Sequence, residues 1–446
     1  MKKRILLPLL TLIALFFLLT GAIPRSAYPP SSFSKIGNPA TIYCDQMGLV
    51  YATVPDGLGG QKAVCTMPDA SVCDAWDFLS GKCGVDFGYC AQNGYGTRTL
   101  HDGKNAYAQE YAVCVDPQGR QLGQVTTLSH LAEHLTSCAR DNPANPLENA
   151  PSTHENAAPL QLEPMVLPPS FDWRNYNGNW LTPIKNQGNC GSCWAFSAVA
   201  ASEAALKIAS NDSSLTPDLS EQYLVSDCNR VNDYQNCCGG WEYYALQYIR
   251  DSGIPDENCM AYVDGTGCTC NGTCSIDCTY RTGGQCSDRT CSDRCSGWSS
   301  RLQHISTTGL VSPSRDQIKT ALIQKGPLTA SMYWSGFFTP GGIYACGNNT
   351  GQANHAIDII GYNDSGQYWI VRNSWGSTWN GDGYFKIGYG ECLIEQYVHY
   401  AIAAPPPPLL PPGDFNKLDP EDGAGYQPAS FTAHWAASSD ADHYEM

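Results

Sequence analysis

The sequence predicts an exported chain that contains both helices and strands and is stapled by disulfide bonds. Its 22 cysteines in 446 residues are typical of proteins that fold in an oxidising compartment. Hydrophobic residues make up 42% of the chain, enough to build folded cores. Residues 195–208 are alanine-rich with apolar residues at helical spacing, whereas residues 430–435 alternate like a strand. At roughly 150 residues per domain, the length suggests about three folded units.

The charge balance excludes one class of partner. The formal net charge is −16, and charged residues make up only 15% of the chain. Nucleic-acid binding requires a clustered basic surface. We therefore expect no nucleic-acid partner.

The N-terminus predicts a signal peptide over residues 1–22. A basic stretch, Met1–Arg4, precedes an apolar run that ends in the small residues Thr20–Ala22. The alternative is an uncleaved anchor, because about 18 apolar residues just span a bilayer. We predict cleavage, and hence a secreted or cell-surface protein with no stable membrane insertion afterwards.

Composition divides the remaining chain into five parts. Residues 28–138 contain seven cysteines, an odd number that leaves one free thiol or one bridge to another part. Residues 139–168 are rich in proline and asparagine and form a connector, and residues 169–403 contain the other fifteen cysteines. Residues 404–412 are a proline run, expected to be a semi-rigid spacer. The fifth part is residues 413–446.

Two of these parts resemble known extracellular modules. Asn38–Cys83 contains NPATIYC, GGQKAVCTMPD and CDAWDFLSGKC, and it resembles a small haemolysin-like domain of unknown function from bacterial exported proteins. Residues 413–446 look like the start of a fibronectin-type or immunoglobulin-like sandwich. Such a sandwich needs roughly 100 residues, so we expect an incomplete one. The alternative for this last part is a frayed tail.

The segment Gln187–Ser197 predicts a nucleophilic cysteine. Its sequence is QGNCGSCWAFS, and Cys193 stands where the alanine-rich helix begins. The positive end of the helix dipole is expected to lower the pKa of that thiol and make it nucleophilic at neutral pH. Cys190 and Cys193 also form a C-x-x-C pair, so a redox site is the alternative. No βαβ pattern surrounds the pair, which disfavours it.

The same segment carries the C-G-S-C-W signature of the papain family of cysteine proteases. The resemblance runs over residues 169–403 and implies an α+β, two-lobed fold, with one helical lobe around the Cys193 helix and one β-barrel-like lobe. It rests on six blocks in family order: SFDWRN (170–175), QGNCGSCWAFS (187–197), LSEQYLVSDC (219–228), CCGGWEYYALQYI (237–249), NHAIDIIGY (354–362) and YWIVRNSWGSTWNGDGYFKI (368–387).

The resemblance implies a role for each of five residues. Cys193 corresponds to the nucleophile, His355 to the general base and acid, and Asn373 to the residue that orients the imidazole. Trp375 corresponds to the indole that shields this pair and also borders the substrate. Gln187 corresponds to the side-chain donor of the oxyanion hole. The implied reaction is hydrolysis of a peptide bond through a Cys193 thioester, without metal or cofactor.

The resemblance also implies where a substrate binds. Gly239 and Gly240 correspond to the wall whose backbone pairs with an extended peptide. A mere turn is the alternative for these glycines. Trp241, Ala356 and Tyr397 are candidates for the adjacent pocket, which suggests an apolar substrate side chain.

A cysteine-rich insertion distinguishes this chain from the common family pattern. His355 lies 162 residues after Cys193, against roughly 130–150 in the family. Residues 268–295 contain seven cysteines and explain the excess. Cathepsin B has a comparable insertion with a histidine pair that makes it a carboxydipeptidase. The insertion here contains no histidine, so we expect an endopeptidase, and in an exported protein its cysteines favour disulfides over zinc.

The resemblance implies three disulfides in this part of the chain. Fourteen cysteines remain there besides Cys193, an even number that favours full bridging with one free thiol. The implied pairs are Cys190 with Cys237, Cys228 with Cys268 or Cys270, and Cys346 with Cys392.

These inferences predict a secreted cysteine endopeptidase that is made as a zymogen. Residues 28–138 are expected to act as a pro-segment, removed by a cut within 139–168. Its substrates would be proteins or peptides. The competing interpretation is a catalytically inert binding or adhesion protein that uses the protease fold as a scaffold. The proline spacer and the C-terminal module favour some attachment to a cell surface or matrix.

Overall fold

The computed structural model describes the following residues: 36–135, 159–226, 228, 235–237, 239–263, 289–347, 351–405, 417–419 and 434–435. The chain divides into two compact units, Met1–Ala404 and Pro405–Met446. The predicted signal peptide and most of the cysteine-rich insertion lie outside the described residues. No helix within these ranges is long and apolar enough to cross a membrane.

Residues 36–135, called the N-terminal domain below, contain two small antiparallel sheets and five short helices. The sheets have the strand orders β1-β2-β3 and β4-β5-β6. The elements are α1 (Pro39–Gln46), β1 (Val50–Pro55), β2 (Gln61–Thr66), β3 (Val72–Asp74), α2 (Ala75–Leu79), α3 (Tyr89–Gln92), β4 (Gly96–Leu100), β5 (Tyr111–Val115), β6 (Gln121–Gln124), α4 (Val125–Leu128) and α5 (Leu131–Leu135).

The start of α1 follows from its sequence. Asn38 is the N-cap, and its side-chain oxygen accepts a hydrogen bond from the Ala40 N–H at 2.9 Å. Pro39 occupies the first helical position, where its missing N–H loses no hydrogen bond. The helix packs against α2 and the first sheet.

Three disulfides cross-link the N-terminal domain. They join Cys44 to Cys65, Cys73 to Cys83, and Cys90 to Cys114. Six of the seven cysteines in this region are therefore paired. The seventh, Cys138, lies outside the described residues.

The second part of the first unit combines four helices with a nine-stranded mixed sheet. The sheet order is β10-β11-β14-β13-β12-β9-β15-β8, and β7 also pairs with β12. The elements are β7 (Ser170–Asp172), α6 (Cys193–Ala209), α7 (Glu221–Val225), α8 (Glu242–Ser252), β8 (Thr307–Leu310), α9 (Arg315–Lys325), β9 (Leu328–Met332), β10 (Phe337–Phe338), β11 (Ile343–Ala345), β12 (His355–Asn363), β13 (Tyr368–Arg372), β14 (Tyr384–Gly388) and β15 (Tyr397–Ile402).

Helix α6 is the central element of the helical lobe. Its sequence is rich in alanine, a strong helix former, and the helix is buried on almost every side. It packs against α7 and α8 and against the sheet strands β9, β12 and β15. The Ser197 hydroxyl donates to the Asp358 carboxylate at 2.9 Å and so ties α6 to β12. This arrangement confirms the predicted α+β fold with a helical lobe and a sheet lobe.

The disulfides of the catalytic part agree with two implied pairs and correct the third. Cys190 is bonded to Cys237, and Cys346 to Cys392. The predicted bridge from Cys228 to Cys268 or Cys270 was wrong, because Cys228 is bonded to Cys291. The chain returns from the insertion in a 3-10 turn that begins at Cys291, which brings the two Cα atoms to 4.8 Å.

A further bridge holds the end of the insertion. Cys295 is bonded to Cys259, and its backbone N–H also donates to the Cys259 carbonyl. Two of the seven insertion cysteines thus fasten it to the helical lobe. The other five lie outside the described residues.

The N-terminal domain and the sheet lobe share one continuous apolar core. A separate core lies around α6, α7 and α8. In the second unit, the structure describes two short strands, β16 (Lys417–Asp419) and β17 (His434–Trp435), which pair antiparallel. The rest of the predicted sandwich fragment lies outside the described residues.

Candidate active site

Cys193 is held in place by the loop that precedes it. It is the first residue of α6 and is fully buried. The Cys190–Cys237 disulfide and a hydrogen bond from the Gly191 N–H to the Cys237 carbonyl fix this loop. Cys193 is the one cysteine without a disulfide in the part of the chain that the structure describes.

His355 and Asn373 form a hydrogen-bonded pair. His355 is the first residue of β12, and Asn373 directly follows β13, its antiparallel neighbour. The His355 Nε2 lies 2.8 Å from the Asn373 Oδ1. That oxygen also accepts from the Ser374 N–H, so it is an acceptor and Nε2 must donate. Nδ1 is left as the proton acceptor, and it has no hydrogen-bond partner among the described residues.

Two indole rings enclose this pair. The Trp375 ring lies 4.8 Å from the imidazole, and the Trp334 ring meets it edge-on at 5.3 Å. Both indoles are buried. They exclude water from the His355–Asn373 hydrogen bond, which strengthens it.

Burial disfavours the charged forms of both the thiol and the imidazole. Burial raises the pKa of Cys193 to about 12, although backbone N–H groups of Ala356, Ile36 and Trp194 lower it. Burial lowers the pKa of His355 to about 4, against the opposing effect of Asn373. The expectation of a thiol with a lowered pKa is therefore wrong for this covered state, because desolvation outweighs the helix dipole.

Gln187 presents its amide nitrogen to the site. The Nε2 donates to the carbonyl oxygens of Cys190 at 2.8 Å and Ile36 at 2.9 Å. The Oε1 accepts from the Ser374 hydroxyl at 2.7 Å, which fixes the orientation of the amide. The side chain can therefore donate a hydrogen bond to a carbonyl oxygen bound beside Cys193.

Lys185 anchors the loop that carries Gln187. Its ammonium donates to the Glu221 carboxylate at 3.0 Å and the Leu219 carbonyl at 3.1 Å, and it lies 3.5 Å from Glu203. These carboxylates hold the pKa of Lys185 well above its usual range despite its burial. A buried ion-pair network thus fixes the loop two residues before Gln187.

The two glycines of the predicted substrate wall lie beside α6. A Cβ on Gly240 would come within 2.5 Å of the Trp194 indole, so only glycine fits there. Gly239 has φ +132°, a backbone conformation that favours glycine. Trp241 is the N-cap of α8, the helix that follows this wall.

A buried carboxylate that the motifs did not predict lies beside the residues of the predicted pocket. Ala356 and Tyr397 are both paired with Ser331 across the sheet. The Ser331 hydroxyl donates to Glu242 Oε1 at 2.6 Å. Glu242 is fully buried, its Oε2 has no hydrogen-bond partner among the described residues, and burial raises its pKa to about 7. An acidic residue directly after Trp241 was the available signal.

The N-terminal domain lies over the site. The Trp76 indole stacks on Trp375, with ring centroids 5.9 Å apart, and its N–H donates to the Trp375 carbonyl at 3.0 Å. The Trp334 and Trp379 indoles donate in the same way to the Ala106 and Tyr107 carbonyls. Cys193, His355 and Gln187 are each 0% exposed, so a substrate cannot reach them in this state.

Two family models match the chain. The model described as "Papain family cysteine protease" matches residues 167–402. The model of a domain of unknown function, DUF333, matches residues 35–82, which fall in the N-terminal domain.

Named cysteine proteases from plants and animals are similar to the same part of the chain. Cysteine proteinase 15A of Pisum sativum is 31% identical, over 56% of this chain and 66% of its own length. Zingipain-2 of Zingiber officinale is 34% identical, over 53% of this chain and 97% of its own length. A solved procathepsin L2 from Tenebrio molitor is 28% identical with a TM-score of 0.44, over 57% of this chain and 76% of its own. This chain spans less than two thirds of the pea protein. It belongs to the papain family of cysteine proteases.

Proposed function

We propose that this protein is a cysteine endopeptidase that hydrolyses peptide bonds through a Cys193 thioester. The observation that carries the proposal is the His355–Asn373 hydrogen bond, which leaves Nδ1 of the imidazole as a free acceptor. The Ala356 N–H lies close enough to the Cys193 thiol to lower its pKa, so the residue next to His355 adjoins the nucleophile.

The proposed reaction has two halves. His355 Nδ1 takes the thiol proton, and the Cys193 sulfur attacks the carbonyl carbon of the substrate. The Gln187 Nε2 and the Cys193 N–H stabilise the oxyanion. The carbon–nitrogen bond then breaks as His355 returns the proton to the leaving amine. In the second half, His355 deprotonates a water molecule that hydrolyses the thioester.

The pocket beside the substrate wall supports a preference for basic side chains. Glu242 accepts a hydrogen bond from Ser331, which is paired with both Ala356 and Tyr397, and one of its oxygens has no partner among the described residues. A buried carboxylate gains most from a cationic partner that supplies hydrogen bonds. We therefore propose peptides with lysine or arginine at this pocket as substrates, rather than purely apolar ones.

We also propose that the protein is a secreted zymogen in which the N-terminal domain is the inhibitory pro-segment. The burial of all the proposed catalytic side chains supports this role. Residues 159–168 of the connector are bound to the catalytic part, since Leu160 pairs with Val311 and the Leu162 N–H donates to Gln317. A processing cut before Leu160 therefore agrees better with these contacts than a cut after it.

Covalent labelling tests the proposed activity. After removal of the N-terminal domain, an epoxide that alkylates papain-type thiols should label the wild type once, and the Cys193→Ala variant should stay unlabelled. Peptide hydrolysis should be lost in the same variant. If neither labelling nor hydrolysis occurs in the processed wild type, the inert scaffold is the better interpretation.

A further inference from the structure

The N-terminal domain places one of its own peptide carbonyls beside the nucleophile. The Ile36 carbonyl oxygen accepts a hydrogen bond from the Gln187 Nε2 at 2.9 Å. This is the same nitrogen that would stabilise the oxyanion of a substrate. Ile36 lies close enough to Cys193 for its backbone N–H to lower the pKa of the thiol. The Ile36 carbonyl oxygen thus accepts from the donor that the proposed reaction assigns to the carbonyl under attack.

The two residues after Ile36 fix the position of its carbonyl group. A Cβ on Gly37 would lie 2.7 Å from the Asn189 carbonyl oxygen, so the position requires glycine. The Asn38 N–H donates to the Gly188 carbonyl at 2.8 Å. The chain therefore leaves Ile36 along one defined path over the loop that carries Gln187.

The Asn38 side chain ties this path both to helix α1 and to the catalytic part. Its amide donates to Asn186 Oδ1 at 2.7 Å and to the Trp375 carbonyl at 3.2 Å, while its oxygen caps α1. The segment cannot slide by one residue without breaking both the cap and these contacts. A folded domain thus presents the Ile36–Gly37 bond to the active site.

We propose that the Ile36–Gly37 peptide bond is a self-cleavage site. This inference rests on the proposed function. The Cys193 sulfur bonds to the Ile36 carbonyl carbon, the bond to the Gly37 nitrogen breaks, and His355 passes the thiol proton to the new Gly37 amine. Water then hydrolyses the thioester and leaves a carboxylate on Ile36. The products are a peptide ending at Ile36 and a chain beginning at Gly37.

This cut differs from the processing cut expected in the connector. Cleavage after Ile36 removes only the residues that precede the N-terminal domain. The domain stays joined to the catalytic part and keeps its contacts with Trp375. It would then cover the site as a bound product, with its new amino group beside the nucleophile.

Intact mass and N-terminal sequencing of the full chain test the proposal. The wild type should acquire an N-terminus at Gly37, and the Cys193→Ala variant should not. The half-time should stay constant over about a hundredfold dilution, because the step is intramolecular. A Gly37 terminus in Cys193→Ala, or a half-time that depends on concentration, would assign the cut to another protease molecule and overturn the proposal.

A matched pair of glycine variants tests the geometry. Gly37→Ala should slow the cut about a hundredfold, because it displaces the reacting carbonyl. Gly341→Ala is the control, since its Cβ would meet only the Thr339 hydroxyl at 3.9 Å, and it should leave the rate unchanged. If the processed enzyme is labelled at Cys193 while the Ile36–Gly37 bond stays intact, self-cleavage is wrong but the proposed peptidase stands.

Discussion

At the scale of single residues, hydrogen bonds assign the proton positions in the proposed site. Because the Asn373 Oδ1 accepts from both His355 and the Ser374 N–H, the imidazole must carry its proton on Nε2. Nδ1 is then the atom that can take a proton from Cys193. The sequence motifs predicted these residues but not the tautomer, which depends on how β12 and the turn after β13 are placed against each other.

Glu242 is the residue whose role depends most on its surroundings. In the sequence it is one acidic residue in the first turn of α8, a position where acidic residues are common. In the structure it is fully buried, 2.6 Å from Ser331 and 3.9 Å from the His399 Nδ1. Its place after Trp241 indicates the residue but not these contacts, because Ser331 and His399 lie on strands of the sheet lobe.

Glu242→Gln should reduce the preference for basic side chains in the processed enzyme. We expect kcat/KM for a peptide with arginine at the pocket to fall about tenfold relative to its leucine counterpart, because the amide keeps the shape but loses the charge. Competition between the two peptides measures this ratio directly. An unchanged ratio in the variant would contradict the proposed substrate preference.

At the scale of elements, composition predicted helix α6 but not which cysteines are bonded or which strands are neighbours. The alanine-rich run and the start at Cys193 follow from local propensity. The partner of Cys228 does not, because seven cysteines in a short insertion are equivalent by spacing alone. The strand order around β12 likewise depends on long-range packing, since every residue of His355–Tyr362 is buried and alternation is lost.

The loop between β7 and α6 should be the element most sensitive to loss of a charge. Lys185→Met leaves the buried carboxylates of Glu203 and Glu221 without their cation, so we expect a loss of about 3–5 kcal/mol of stability. Lys386→Met is the matched control, because Lys386 is exposed on β14, and it should change stability by about 0.5 kcal/mol or less. Denaturant unfolding of the Cys193→Ala background would compare them, and equal midpoints would refute the role of Lys185.

At the scale of the whole molecule, a domain unlike the family's usual helical pro-segment covers the site. The sequence does not show how this domain covers the site, because the relevant contacts join residues more than 100 positions apart. Three indole N–H groups, from Trp76, Trp334 and Trp379, donate to carbonyls across the boundary. Each of these hydrogen bonds satisfies an indole N–H that would otherwise be buried without an acceptor. The three bonds therefore favour one docked position of the N-terminal domain.

Trp76→Phe should loosen the docked N-terminal domain. The change removes the hydrogen bond to the Trp375 carbonyl and weakens the stacking, together about 2 kcal/mol. Alkylation of Cys193 in the uncut chain should then be roughly 30-fold faster, because it follows the open population. Leu58→Ala, at a 91% exposed position of the same domain, is the control. Equal alkylation rates in the two variants would show that Trp76 does not hold the domain closed.

Acid should open the molecule, because the covered state keeps His355 neutral. Its pKa is about 4 here, against roughly 6.5 for an exposed histidine, so the open state binds more protons as the pH falls through this range. Docking should therefore weaken by about 3 kcal/mol between pH 6.5 and pH 4.

Alkali should also weaken docking, through Cys193. The pKa of its thiol is about 12 in the covered state, so the open state, where an exposed thiol ionises, is favoured above about pH 9. Exposure of Trp375, followed by hydrogen exchange corrected for the intrinsic pH dependence of the exchange rate, should thus be lowest between about pH 6.5 and 9 in the chain that keeps Cys193, and Cys193→Ala should lose the alkaline limb. His355→Gln removes the acidic limb, and an acidic limb that persists in this variant would assign the opening to other groups.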